Sequence, residues 1–431
     1  MLSFFVSDFA FSQSDIISDN VLIGPGATGL GGAFTAVADD PTAIIYNPAG
    51  LVHISANKRS LSYNAYMTAT YGIDNIVFNS ELKSEAYYTP FFAGTSYRSP
   101  TLPSWTFAAA AYDRGIYAAR RRWIASGNES ITINGNSTAI GGSFESVSRH
   151  SGSSLTIAGA AARATQLGAY GITIGLRNEA ESSQEFTKSF FGPFDFEDKT
   201  VYSHSTSNVD HEAKGYAIEL GLGGLWKKDN WTFGATVGQV NYRFQKRDSI
   251  EDSNYLSTDE NGNPATTRIE DKDIPIPATI EHVETTDNYP FGRPPVRYRL
   301  GVAQNLTSST RWSADIIGRG FSHTEHATIQ PGADGALGIE TAITSSFSTR
   351  LGLFSTMDQA NTLSSTGYRR ADSYVDSLGV TSMFLYRAEG WSLSLGALYQ
   401  RGQGTLGEVR QEKKDVTLNV SSFSASFTSD Q

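Results

Sequence analysis

Large apolar side chains alternate with small or polar ones along most of this chain. In the stretch from Tyr216 to Trp226, the apolar Tyr216, Ile218, Leu220 and Leu222 are separated by Ala217, Glu219, Gly221 and Gly223. The next stretch sets Trp231, Phe233, Ala235 and Val237 against Thr232, Gly234, Thr236 and Gly238, and the same rule holds over 170–176 and 391–399. A period of two is that of a β-strand whose two faces meet different surroundings. No run of about 18 apolar residues occurs, so the pattern predicts no transmembrane helix.

Fourteen such segments can be placed, at 59–71, 84–98, 104–113, 153–164, 169–182, 213–226, 231–246, 293–306, 310–322, 335–343, 347–357, 373–386, 391–401 and 414–427. The connections at 227–230, 307–309, 344–346 and 388–390 are short, and those at 114–152, 183–212, 247–292, 323–334, 358–372 and 402–413 are long. Short and long never exchange places, which is the habit of outer-membrane barrels, with tight turns on one side and long loops on the other. A further alternating stretch at 140–149 would break the even count and is assigned to its loop. Five of the six tryptophans, at 105, 226, 231, 312 and 391, fall at segment ends, where a bilayer interface selects aromatic girdles. The pattern therefore predicts an all-β fold: a transmembrane antiparallel barrel of about fourteen strands.

Residues 13–55 precede the first strand and do not alternate. They are too few and too glycine-rich to form a domain, but suit a plug inside a barrel. Residues 1–12 form an apolar run ending in Ala10-Phe11-Ser12, the small-residue pattern of a signal-peptide remnant. The expected organisation is thus 1–12 leader, 13–55 plug and 56–431 barrel.

Composition sharpens this picture. Of 431 residues 18% are charged, against about 25% in soluble proteins, with 41 glycines, 12% aromatics and no cysteine. Disulfides and thiolate metal sites are excluded. The net charge of −10 argues against a nucleic-acid partner, since phosphates need clustered Lys and Arg. From Asp248 to Asp287, eleven acidic residues face only Arg268 and Lys272, an excess of nine that reads as a solvated surface loop. Within it Asp259, Asn261, Asn263 and Glu270 have calcium-loop spacing, but Pro264 stands where that loop needs Gly. No metal or cofactor is expected. No nucleophile elbow of the form G-x-S-x-G occurs, and nothing in the chain points to an enzyme.

Gly24, Gly26 and Gly29 have the G-x-G-x-x-G spacing of a dinucleotide turn. That turn needs a βαβ unit and an acidic residue about twenty positions on, and Asp39 and Asp40 come too early. The whole stretch "GATGLGGAFTAVADDPTAIIYNPAGL" instead resembles the N-terminal signature of the long-chain fatty-acid transporter family of outer-membrane proteins (FadL and TodX). "RPPVRYRLGVAQNLTSSTRWSADI" resembles a strand-turn-strand in the second half of that family. The resemblance implies a fourteen-stranded barrel in the bacterial outer membrane, a lumen closed by an N-terminal hatch, and passive inward movement of a fatty acid or other hydrophobic small molecule. It places Asn47, Pro48 and Ala49, with Gly50 and Phe34 of the same signature, beside the ligand path. It also implies a kink in the third strand that opens sideways; here that strand is "SWTFAAAAYDRG", with no Pro or Gly before Gly115.

A capture surface is expected in "TKSFFGPFDFED", where Phe190, Phe191, Phe194 and Phe196 cluster in a presumed outer loop with Lys188 for a carboxylate, and Tyr289 and Phe291 could close the patch. The competing reading from another class is a barrel that serves as scaffold or carrier for secretion or surface interactions, relying on its loops.

Overall fold

A computed structural model describes residues 21–430 except 55–56, 75–78, 114–116, 134–135, 197–198, 260, 262, 265, 270–271, 276–278, 289–295, 321, 324–327, 330–331, 358–359, 365–366, 371–373 and 410–411. The leader expected at 1–12, Glu270, Tyr289 and Phe291 lie outside the described residues. No described helix is long and apolar enough to cross a membrane.

Fourteen antiparallel strands close on themselves. They are β1 (Lys58–Asp74), β2 in two pieces (Asn79–Tyr88 and Phe91–Arg98), β3 in two pieces (Trp105–Asp113 and Tyr117–Ile133), β4 (Asn136–Thr165) and β5 (Gly168–Phe196). The chain continues through β6 (Lys199–Lys228), β7 (Trp231–Thr258), β8 in two pieces (Thr279–Asn288 and Arg297–Asn305) and β9 (Thr310–Arg319). It ends with β10 (Gly332–Ala342), β11 (Phe347–Thr356), β12 (Tyr374–Ala388), β13 (Trp391–Val409) and β14 (Glu412–Asp430). Closure is made by β1 on β14, from Lys58 opposite Asp430 to Gly72 opposite Thr417.

The alternation in the sequence is the alternation of the wall. On β5, Ile172, Ile174 and Leu176 point outward at 41%, 51% and 65% exposure, while Thr173 and Arg177 between and beyond them are buried inward. Such an outward apolar band is stable against lipid and costly against water. The tight turns carry the aromatic girdle: Trp231 meets Trp312 edge-on at 5.9 Å, Tyr386 meets Trp391 at 5.5 Å, and Arg163 lies over Trp105 at 5.7 Å. Asp229 and Gly390 take positive φ in two of these turns, as two-residue hairpins require.

Strand length departs from expectation. β9, β10 and β11 have 10, 11 and 10 residues, near the ~9–11 that cross a bilayer, but β4 to β7 have 30, 29, 30 and 28. The stretch 140–149 and much of 114–152, 183–212 and 247–292 are therefore ladder rather than loop. The even count survives because 140–149 lengthens β4 instead of adding a strand. Beyond the apolar band both faces of this sheet meet polar surroundings, so the hydrophobic period that marks a strand disappears while pairing continues.

The acidic segment joins this upper sheet, with Lys246–Tyr255 of β7 paired to Asn288–Thr279 of β8. Asp259 spends one carboxylate oxygen on the backbone N–H groups of Asn261 and Asn263, closing a local turn. On the outer face His282 bridges Asp252 at 2.6 Å and Glu284 at 3.2 Å. Hydrogen bonding to Asp252, then to Glu284, holds the His282 pKa above its ordinary value. A raised histidine pKa contributes stability below the unfolded value and loses it as pH rises through the folded one. Exchange protection of this strand pair should therefore fall as pH rises above about 6.5, and His282→Ala should flatten that dependence, both read by hydrogen-exchange mass spectrometry.

Candidate functional site

Residues 21–54 lie against the inward faces of the barrel strands. They form two short helices, α1 (Pro25–Gly29) and α2 (Ala43–Tyr46), and a 3-10 turn (Pro48–His53). Nearly every side chain in the segment is buried, including Phe34, whose ring meets Tyr46 edge-on at 5.7 Å.

What seats this segment is a seam of wall glycines. A methyl added at Gly171 of β5 would fall on the Pro48 and Ala49 backbone, at Gly223 of β6 on Asn47, and at Gly234 of β7 on the Thr35 carbonyl. Further round, Gly301 of β8 faces Ala36, Gly338 of β10 faces Leu30, and Gly352 of β11 faces the Leu30–Gly31 peptide. At Gly171, Gly234 and Gly352 main chain meets main chain, while Gly223 and Gly338 make room for the Asn47 and Leu30 side chains.

Hydrogen bonds run along the same seam. The Thr173 hydroxyl donates to the Ile44 carbonyl at 2.8 Å, Ser313 to Ala33 at 2.8 Å and Thr381 to Gly29 at 3.3 Å. Asp315 of β9 accepts from the N–H groups of Phe34 and Thr35 at 3.1 and 2.9 Å. Asn47 is fully buried: its amide donates to the Thr35 carbonyl at 2.8 Å and to Gly224 of β6 at 3.1 Å, and its oxygen accepts from Ala49 at 3.1 Å. Both amide donors are spent within the protein. Pro48, Ala49 and Gly50 are buried beside it.

The glycine spacing that opens the segment also turns inward. Gly24 takes φ +86°, and the Gly26 N–H donates to Asp40 at 3.1 Å, so a carboxylate of the same chain occupies the place of a phosphate. At the tight-turn end Asp39 pairs with Arg311 at 2.9 Å, and Arg311 with Glu340 at 2.6 Å. Arg350 and Arg387 reach the same Glu340 at 3.3 and 3.2 Å. Asp39 and Arg311 are partly exposed, so Asp39→Asn should loosen the segment by less than about 1 kcal/mol, and less still in high salt, measured by urea titration at two ionic strengths.

The wall is interrupted in β2. β1 pairs with the first piece of β2 from Met67 and with the second up to Tyr63, leaving Thr89 and Pro90 outside the ladder. β4 pairs with the first piece of β3 from Leu155 and with the second up to Gly152. Pro90 cannot donate a ladder bond. The Ser154 N–H is held by both oxygens of Asp113, at 3.2 and 3.1 Å. Just inside, Tyr112 donates to Glu219 of β6 at 2.7 Å, and Glu219 pairs with Arg177, which also meets Glu179 at 3.1 Å.

A different chemistry lines the wall on the far side of β1. Leu398, Leu418 and Val420 are buried on the inward faces of β13 and β14, with Phe354 and Val375 packed against the same cluster. Sequence reading passed over these residues, because inward apolar side chains on alternate positions look like any other strand.

The expected capture residues are divided. They sit in the β5–β6 hairpin, with Phe190 stacked on Tyr202 at 5.8 Å and Lys188 exposed. Phe190 is opposite His204 while Phe191, Phe194 and Phe196 hold register opposite Ser203, Val201 and Lys199, and adjacent strand positions such as 190 and 191 belong to opposite faces. Of the side chains of Phe191, Phe194 and Phe196 nothing further is described.

The chain forms a closed fourteen-strand antiparallel barrel with an inward-packed N-terminal segment and a second strand interrupted at Thr89 and Pro90. Among solved structures, the toluene transporter TodX of P. putida superposes with a TM-score of 0.57 at 15% identity over 95% of this chain and 99% of its own. The toluene transporter TbuX of Ralstonia pickettii gives 0.54 at 12% identity over 96% and 99%. A FadL homologue from Pseudomonas aeruginosa gives 0.50 at 13% over 95% and 99%. The chain has the fold of these FadL- and TodX-type barrels. No protein-family model matches the sequence, and a search of curated proteins finds no match.

Proposed function

We propose that this protein is a channel of the bacterial outer membrane for passive uptake of hydrophobic compounds, long-chain fatty acids or others, and not an enzyme. One observation carries the reading: residues 21–54 pack into the barrel along a glycine seam while the wall beside them is interrupted at Thr89 and Pro90 of β2. The segment acts as a hatch that blocks the axial route, leaving the interruption as the way out. Asn47, Pro48 and Ala49, with Gly50 and Phe34, hold the floor of the path by fixing the hatch to the wall. The inward cluster of Phe354, Val375, Leu398, Leu418 and Val420 supplies apolar surface for the ligand, each buried methylene being worth about 0.8 kcal/mol. Capture falls to the upper sheet, where Lys188 and Phe190 share a face.

The test is uptake of a radiolabelled hydrophobe by cells that lack their own channel and produce this protein. Leu418→Asp and Val420→Asp should each lower initial uptake at least tenfold while the barrel remains heat-modifiable on gels. Wild-type uptake no faster than in barrel-free cells, or a wide ion conductance typical of an open pore, would overturn the reading.

A further inference from the structure

Arg163 stands on the outer wall at the tight-turn end of β4. Its neighbours Ala160 and Ala162 are buried inward while Arg163 is exposed, and in the ladder it lies between Trp105 of β3 and Tyr170 of β5. The guanidinium sits over the Trp105 ring at 5.7 Å, and that ring stacks on Phe107 at 6.2 Å. On the other flank Tyr170 meets Trp226 edge-on at 6.0 Å, and the indole N–H donates to the Tyr170 hydroxyl at 3.4 Å. Among the described residues no carboxylate pairs with Arg163. An aromatic face holds such a cation in place without neutralising it.

Beside this cation the outer wall is hollowed. The next outward positions of β4 are Ala161 and Gly159, and a methyl added at Gly159 would meet nothing within 4 Å. Phe107 and Ile172 stand opposite Ala161 on its two sides, and Ile174 stands opposite Gly159; all three point outward. Ile157, at 64% exposure, closes the far end. The six residues from Arg163 to Ile157 span about 20 Å at the rise of a strand. A shallow apolar trough therefore runs along β4, away from an unneutralised guanidinium.

Resting on the outer-membrane reading above, we infer that Arg163, with Trp105, Tyr170 and Trp226, seats one anionic phospholipid of the leaflet at the tight turns. Its phosphate lies on the guanidinium, and one acyl chain follows Ala161 and Gly159. The planar fork of an arginine matches phosphate oxygens, and tryptophan and tyrosine rings settle where acyl chain gives way to head group. A zwitterionic head carries its own ammonium and gains less from a lone cation than an anionic one does. A peptide strand is the wrong occupant, because β4 is already paired on both edges here, to β3 and to β5.

The purified barrel in detergent is titrated with dioleoyl phosphatidylglycerol and, separately, with dioleoyl phosphatidylcholine, and bound lipids are counted by native mass spectrometry. Wild type should bind the first phosphatidylglycerol at least tenfold more tightly than the first phosphatidylcholine. Arg163→Gln should erase that preference. Lys228→Gln removes another exposed cation of the same rim, at the end of β6, and should keep the preference within twofold. Ala161→Phe fills the trough and should weaken both lipids severalfold. Heat-modifiability on gels confirms that each variant is folded. No preference in wild type, an unchanged preference in Arg163→Gln, an equal loss in Lys228→Gln or unchanged binding in Ala161→Phe would overturn the lipid seat and leave the channel standing. A wild-type barrel that does not insert into vesicles of these two lipids would overturn both.

Discussion

Gly352→Val should unseat the N-terminal segment while the barrel stays folded. The added side chain begins on the backbone of Leu30 and Gly31, so no rotamer change can relieve it. Overpacking costs about 1–3 kcal/mol where neighbours can shift, and a collision with main chain belongs at the upper end of that range or above. A shift of about 3 kcal/mol makes the undocked state roughly a hundredfold more populated. Two measurements follow: protease cleavage within 21–54 should become fast, and single-channel conductance should rise because ions gain the axial route. Gly159→Val is the control, since its added methyl meets nothing within 4 Å. Identical conductance and cleavage in the two variants would mean that the glycine seam does not seat the segment.

Asn47→Ala should have the second largest effect. The substitution removes three hydrogen bonds at once and strands the Thr35 and Gly224 carbonyls and the Ala49 N–H in a fully buried place. Each bond contributes about 0.5–1.5 kcal/mol net, and an unsatisfied buried group costs more than a bond never made, so about 3 kcal/mol is expected. Amide exchange over residues 33–50 should accelerate about a hundredfold, measured by mass spectrometry, with exchange in β9 to β11 unchanged. Acceleration confined to residues 47–49 would place the effect in the local turn and not in the bond to the wall.

The apolar-banded part of the fold was legible in the sequence because its outward positions are large and apolar and its inward ones small or polar. Tyr170 to Leu176 and Trp391 to Tyr399 announce their strands, and the tight turns and tryptophan girdle orient them. The upper sheet was not legible, since Asp248, Ile250 and Asp252 pair as strand without any consistent apolar face. The N-terminal signature drew attention to Asn47, but the contacts of this segment run over long separations. Asp39 and Arg311 are 272 positions apart, and the bond from Asn47 to Gly224 spans 177. The wall glycines were visible only as the small-residue half of each alternation. What they leave room for could not be read until the N-terminal segment lay against them. The interruption of β2 was partly visible, since Pro90 sits within one predicted strand.

The seam of Gly171, Gly223, Gly234, Gly301, Gly338 and Gly352 also sets the mechanical character of the joint. Side chains that interdigitate must freeze their rotamers to fit, and can give a little by changing them. Main chain laid on main chain has no such freedom either to lose or to yield. The six glycines surrendered their own flexibility when the strands paired, so seating the segment adds no further cost from their side. Where main chain lies on main chain, at Gly171, Gly234 and Gly352, the joint is therefore stiff.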